Sequence, residues 1–143
     1  MPERHPWIAA DSAGNFVATF PPIRTDEETE AFWDRLEHHF DSGEAPERFG
    51  VVLDLRAIRS SSTRARARMA GHLRDYDAFH TRHCVGLAVV VRSTVARAAV
   101  QAVVWMIPHR AAPMRVFESV ASAEAWLHEL WAREVAAPAP PPA

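Results

Sequence analysis

Lysine is absent from this sequence, and all sixteen basic residues are arginine. Chemistry that needs a chain amine, such as a Schiff base or a phosphate-loop lysine, is therefore excluded. Cysteine is nearly absent too. Cys84 stands alone, so neither an internal disulfide nor a Cys-rich zinc site can form, and the thiol is expected to be a small buried hydrophobe. The five glycines, at 14, 43, 50, 71 and 86, are too scattered to build a dinucleotide or Walker loop. No nucleophile sits beside a base and no paired-carboxylate motif occurs, so the chain is not expected to be an enzyme, and no cofactor is expected. No apolar run approaches the roughly 20 residues that span a bilayer. The start MPERHPWIAA lacks the apolar stretch of a secretory signal, which makes the cytoplasm the expected location.

What is present is enough for one core. The 143 residues, 48% apolar and 24% charged, suit a single domain, expected over 1–135, with a disordered Pro/Ala tail over 136–143. Abundant alanine and arginine without lysine resemble the codon bias of a GC-rich bacterial genome. Net charge is −2 but uneven: Leu55 to Arg115 holds eleven arginines against Asp75 and Asp77, while the rest holds five arginines and sixteen acids. Two regions of opposite sign can pair within a fold, or the basic one can meet an anionic partner.

Turn formers Asp11 to Asn15 between two short apolar runs predict an opening hairpin, which Pro21 and Pro22 close. Thr25 and Glu28 have capping-box spacing, Phe32, Trp33, Leu36 and Phe40 recur at helical spacing, and Gly43 is placed to end that helix. GVVLDL at 50–55 and VGLAVVV at 85–91 read as strands covered on both faces. The hydroxyl run Ser60 to Thr63 precedes one long helix with Ala65, Met69, Leu73 and Tyr76 on its buried stripe. A third helix over Thr94–Ile107, a short strand around Val116 and a last helix bearing Leu127, Leu130 and Trp131 complete the order. The expected fold class is α/β: a mixed, mostly parallel sheet with an N-terminal antiparallel hairpin and four helices, β-β-α-β-α-β-α-β-α.

This order, with a strand Gly50-Val51-Val52-Leu53-Asp54-Leu55 followed by a Ser-rich loop opening a helix, resembles the STAS superfamily, the fold of bacterial anti-sigma-factor antagonists. Val116-Phe117, Glu124-Ala125 and Trp126-Leu127 resemble a branch of STAS-like bacterial proteins of unassigned role. The resemblance implies a regulatory, non-catalytic domain that docks another protein. In the antagonists, an Asp-Ser-Ser/Thr-Gly segment of this loop carries a phosphorylated Ser or Thr. Here Ile58-Arg59-Ser60-Ser61-Ser62-Thr63 keeps the hydroxyls, with Arg59 at the Asp position and Ser62 or Thr63 at the Gly position.

Two surfaces are therefore candidates. Ser60, Ser61, Ser62 and Thr63, with Arg59, Arg64 and Arg68, form a candidate phospho-acceptor or anion site, because unpaired N–H groups at a helix start favour an anion. The same residues also suit plain capping and a solvated face. Arg64-Ala65-Arg66-Ala67-Arg68 alternates in a way that spreads around a helix, so no nucleic-acid partner is expected. His80-x-x-His83 near Asp77 and Cys84 suits a helix C-terminus on dipole grounds, and no metal is expected there. The helix Thr94–Ile107 is apolar nearly all round: Val95, Ala99, Val103 and Met106 are expected to face the sheet. That leaves Val100, Val104, Trp105 and Ile107 as a candidate interface for the last helix, a second copy in a homodimer, a protein client, or an apolar ligand. The expected function is regulatory docking of another protein. The alternative is a carrier or sensor of a small apolar or lipid-like ligand held between this helix and the sheet.

Overall fold

In a computed structural model of the chain, the described residues are 8–10, 15–22, 25–43, 46–58, 62–105 and 112–136. Arg59, Ser60, Ser61, Met106, Ile107, the hairpin turn at 11–14 and the tail from 137 onward lie outside them.

Two strands anchor the architecture. β3 (Phe49–Asp54) and β4 (Cys84–Val90) are buried at every position, as strands covered on both faces must be. They pair in parallel, with β2 (Asn15–Thr19) outside β3 and β5 (Met114–Phe117) outside β4. β1 (Ile8–Ala10) pairs antiparallel with β2, Ile8 facing Ala18, so the sheet order is β1-β2-β3-β4-β5.

That order dictates where the helices go. Parallel neighbours need crossovers, and right-handed crossovers that all step the same way place their helices on one face of the sheet. α1 (Asp26–Asp41), α2 (Thr63–Asp75), α3 (Asp77–His83) and α4 (Thr94–Trp105) are those crossovers. α1, α2 and α4 bury Phe32, Trp33, Leu36, Phe40, Met69, Leu73, Val100 and Val103 against Phe16, Val51, Leu53, Leu87 and Val89. The other face falls to α5 (Val120–Ala136), whose Ala123 and Leu127 cover Val52, Val85, Ala88 and Val90 with Trp126, Leu130 and Trp131 alongside. The alternation of Val51, Leu53 against Val52 and of Leu87, Val89 against Ala88, Val90 is the period-two signature of a strand.

Gly86 permits the close seating of α5: a Cβ there would stand 2.5 Å from Leu130 Cδ1 and 3.1 Å from Trp126. Arg48 adds a polar clasp, its guanidinium bonded to Glu134 and to the Arg82 carbonyl at 3.1 Å.

The helix count differs from the expectation. The single long helix after the hydroxyl run is two helices, giving five among the described residues, because the chain leaves helical geometry at Tyr76 (φ −103°, ψ 13°). The Tyr76 hydroxyl donates to the Asp41 carboxylate at 2.9 Å and its ring stacks on His72 at 4.9 Å. Holding the ring against α1 while α3 turns inward buries His80, edge-on to Phe40.

Candidate functional site

The C-terminal ends of the parallel strands are extended and tied by three bonds beyond the strands. Phe20 N–H donates to the Asp54 carbonyl, Leu55 N–H to Val90 and Val91 N–H to Phe117, each at 2.9 Å. Phe20, Leu55 and Val91 thereby become a fixed floor. Above it opens a cavity of about 500 Å³ between α1, α2 and α4, within the roughly 300–1,000 Å³ of small-molecule sites. Trp33 walls it from α1, Met69 from α2, and Val100 and Val103 from α4, with the small side chains Ala65, Ala96 and Ala99 where the helices approach one another. Phe20 is locked by Phe32 and Trp33, ring centroids 3.7 and 5.2 Å away.

The rim is polar and basic. Arg56, Arg66 and Arg92 line it with Thr29 and Ser93, and among the described residues no carboxylate does. Asp54, buried at the end of β3, lies just outside the lining and accepts from Arg56 Nε and Nη2, both at 2.9 Å. Burial raises the Asp54 carboxyl, but the side-chain and backbone hydrogen bonds from Arg56 outweigh it and hold the group ionised below its ordinary range.

The described hydroxyl residues, Ser62 and Thr63, open α2. Ser62 is the N-cap of α2, accepting from Ala65 N–H at 2.9 Å, and its own hydroxyl donates to Asp26 at 2.6 Å. Thr63 is the first residue of α2. Of the arginines expected to meet an anion, Arg64 and Arg68 are paired with α1, and Arg59 lies outside the described residues. Arg68 meets Glu30 at 3.0 Å, Asp34 at 3.1 Å and Glu37 at 2.6 Å, and Arg64 lies within 3.8 Å of Glu27 and 3.7 Å of Glu30. The basic middle of the chain thus faces its acidic first helix. A carboxylate beside the Ser62 hydroxyl repels a phosphate placed there.

On α4 the outward set differs from the expected one. Val100, expected to face a partner, is 6% exposed, and Val95, expected to face the sheet, is 81% exposed, while Val103, also expected to face the sheet, is buried at 2%. Thr94, Arg97 and Gln101 mark one polar side of α4, but Val95 and Val100 both lie off the opposite side, so contacts with α2 and β5 decide which of them is buried. Val104 is half-buried and Trp105 84% exposed. α5 lies on the opposite face of the sheet and does not cover α4.

The family model described as SpoIIAA-like matches residues 19–128. The chain belongs to the SpoIIAA-like family. This is the STAS-like group to which the sequence resemblance points. A solved structure with a SpoIIAA-like fold, an uncharacterised protein of the DUF3478 family from Shewanella loihica PV-4, is similar over 84% of this chain and 90% of that one. Its TM-score is 0.51 and its sequence 19% identical. No curated protein matches the chain. Among the described residues, no helix is long and apolar enough to cross a membrane.

This SpoIIAA-like chain also carries a buried polar cluster, away from the cavity, that periodicity alone does not single out. His72 Nδ1 lies 2.9 Å from Glu37 Oε2. Burial raises the Glu37 carboxyl, yet the His72 and Arg68 hydrogen bonds carry it down to about 2, so it is an acceptor and His72 must donate. Burial lowers His72 despite that partner, leaving the ring neutral. His80 is pushed down to about 3 by burial and by His72, and its Nε2 has no hydrogen-bond partner among the described residues. His83 sits elsewhere, its Nδ1 2.8 Å from the Glu47 carbonyl. Burial pushes the Cys84 thiol up to about 12, which makes it a poor nucleophile. Among the described residues no cluster of three metal-ligating side chains forms.

Proposed function

We propose that this SpoIIAA-like protein is a non-catalytic regulatory module that carries or senses a small apolar or lipid-like ligand in the cavity at the strand ends. The cavity itself supports the reading: about 500 Å³ over a floor of Phe20 and Val91 with walls of Trp33, Met69 and Val103, and a polar rim. Among the described residues, the carboxylate beside it, Asp54, is committed to Arg56, which leaves the arginines of the rim with no acid–base partner to offer an occupant.

The test is binding of the neutral fluorophore N-phenyl-naphthylamine to delipidated protein, with lipid extraction of the natively purified chain alongside. Emission is expected to rise on binding in the wild type and to be lost in Ala99→Trp, which fills the lumen. A wild type that leaves the probe dark overturns the reading.

A second reading, docking of another protein, draws on Val95 and Trp105, 81% and 84% exposed on α4. Phosphorylation at the Ser60–Thr63 loop would belong to that reading. It is supported by the hydroxyls, but opposed at Ser62 by the neighbouring Asp26 carboxylate. Phosphate found by mass spectrometry on that loop in natively purified protein would favour docking over carriage.

A further inference from the structure

The cavity divides sharply by polarity. Its deep residues, Phe20, Trp33, Val91, Val100 and Val103, are buried and apolar, while the exposed or half-exposed rim carries Arg56, Arg66 and Arg92. Among the described residues, no Asp or Glu lines either part. A purely hydrocarbon occupant would leave that rim without purpose, and a small polar anion would leave the deep wall wet.

Three features set the sign of the rim. Arg56 is spoken for by Asp54 through Nε and Nη2, so its charge is largely offset. Arg92 has no ion pair among the described residues and stands in the loop joining β4 to α4. The first turn of α4 opens beside it: Ser93 caps Ala96 N–H at 3.1 Å, and Ser93 and Val95 both line the cavity, so the positive end of a twelve-residue helix faces the same rim. Arginine on a carboxylate or phosphate makes charge-assisted, fork-shaped hydrogen bonds, and it does so best beside a low-dielectric wall.

Resting on the ligand-carrier reading, we propose that the occupant is a single-chain anionic amphiphile. Its alkyl chain lies on the Phe20, Trp33 and Met69 floor, and its carboxylate or phosphate head is held at the rim by Arg92 with Arg66. No bond is made or broken; the head group exchanges water for guanidinium, and the chain exchanges water for the cavity wall.

The experiment is isothermal titration of the delipidated full chain with four probes sharing one alkyl chain, each below its micelle concentration: dodecanoate, dodecyl phosphate, dodecanol and dodecyltrimethylammonium. Both anions are expected to bind at least about tenfold more tightly than the alcohol, with the cation weakest, because charge-assisted bonds to arginine exceed neutral ones. The tighter of the two anions names the head group. Arg92→Gln, on an exposed loop, is expected to cut anion affinity several-fold and to leave dodecanol unchanged. The preference should also shrink as salt is added. Equal binding of alcohol and anions, or preference for the cation, overturns this inference while the carrier reading stands. An anion-to-alcohol ratio unmoved by both Arg92→Gln and Arg66→Gln overturns it as well. If none of the four probes binds, the carrier reading falls and this inference with it.

Discussion

Acid should destabilise this protein through one imidazole. His80 is 4% exposed, its ring is edge-on to Phe40 at 6.0 Å and to His72 at 5.3 Å, and its Nε2 has no hydrogen-bond partner among the described residues. Leu73, Leu87, Met114 and Asp77 share the small space beside it. Burial, with the neighbouring His72, lowers its pKa from 6.5 to about 3. The unfolded chain therefore binds a proton below pH 6.5 that the folded chain refuses, so stability is full above that pH and is lost as pH falls toward the folded value. Taking about 1.4 kcal/mol per pH unit over that window, His80 alone removes about 2 kcal/mol between about pH 7 and about pH 5. His72 acts in the same direction, its pKa also lowered by burial. Glu37, held down to about 2 from 4.5, contributes only as pH falls below 4.5. Urea unfolding followed by circular dichroism at stepped pH reads the slope directly. His80→Leu, which keeps an apolar side chain of similar bulk and removes the unpaired nitrogen, should flatten about 2 kcal/mol of that dependence. A wild type equally stable at both ends of the window, or a His80→Leu protein with the full slope, refutes the reasoning.

Gly86→Ala should lose about 1–3 kcal/mol, because the new methyl meets Leu130 and Trp126; thermal unfolding checks it, and an unchanged Tm means α5 is free to retreat. Arg68→Met should cost about 2 kcal/mol in urea titration, since Glu30, Asp34 and the mostly buried Glu37 lose a shared counter-charge. Trp105→Glu, at a position 84% exposed, should leave stability within about 0.5 kcal/mol; loss of a wild-type dimer in sedimentation would assign α4 to self-association.

Much of the frame is legible from residue order because its determinants are local. Thr25 accepts from Glu28 N–H at 3.2 Å as the capping box requires, Phe32, Trp33, Leu36 and Phe40 are all buried, and Gly43 ends the helix at φ +77°. The two valine-rich segments are the inner strands because only a doubly covered strand tolerates apolar residues on both sides. What resisted reading is decided at long range. The break at Tyr76 depends on Asp41, thirty-five residues away. The rotation of α4 depends on α2 and β5, since Val95 and Val100 are chemically alike and only the neighbours distinguish them. The pairing of Arg64 and Arg68 with α1 follows from the uneven charge, but which acids they meet required the crossover geometry. The apolar excess of α4 pointed to a ligand space between that helix and the sheet, but the walls from α1 and α2, Trp33 and Met69, are brought there only by the crossovers.

Those small side chains permit a last test, which separates a retained site from a packing fault. Alanine is abundant throughout this chain, and Ala65, Ala96 and Ala99 all stand at the lumen where α2 and α4 approach the strand ends. A lumen of about 500 Å³ leaves its walls short of protein contacts, so a larger apolar side chain that enters it without strain should stabilise the protein. Ala96→Leu adds three carbons facing Val100 and Met69; at about 25 cal/mol per Å² of newly buried apolar surface, the gain is about 1 kcal/mol or slightly more. The same substitution occupies ligand space, so affinity for N-phenyl-naphthylamine or dodecanoate should fall as stability rises. Opposed changes are what a site held open at the expense of packing produces. If Ala96→Leu instead lowers stability, the helices already meet there and the lumen is too small for an alkyl chain; if it stabilises while leaving probe affinity intact, the probe binds elsewhere. Measuring Tm and affinity on one preparation decides between these outcomes.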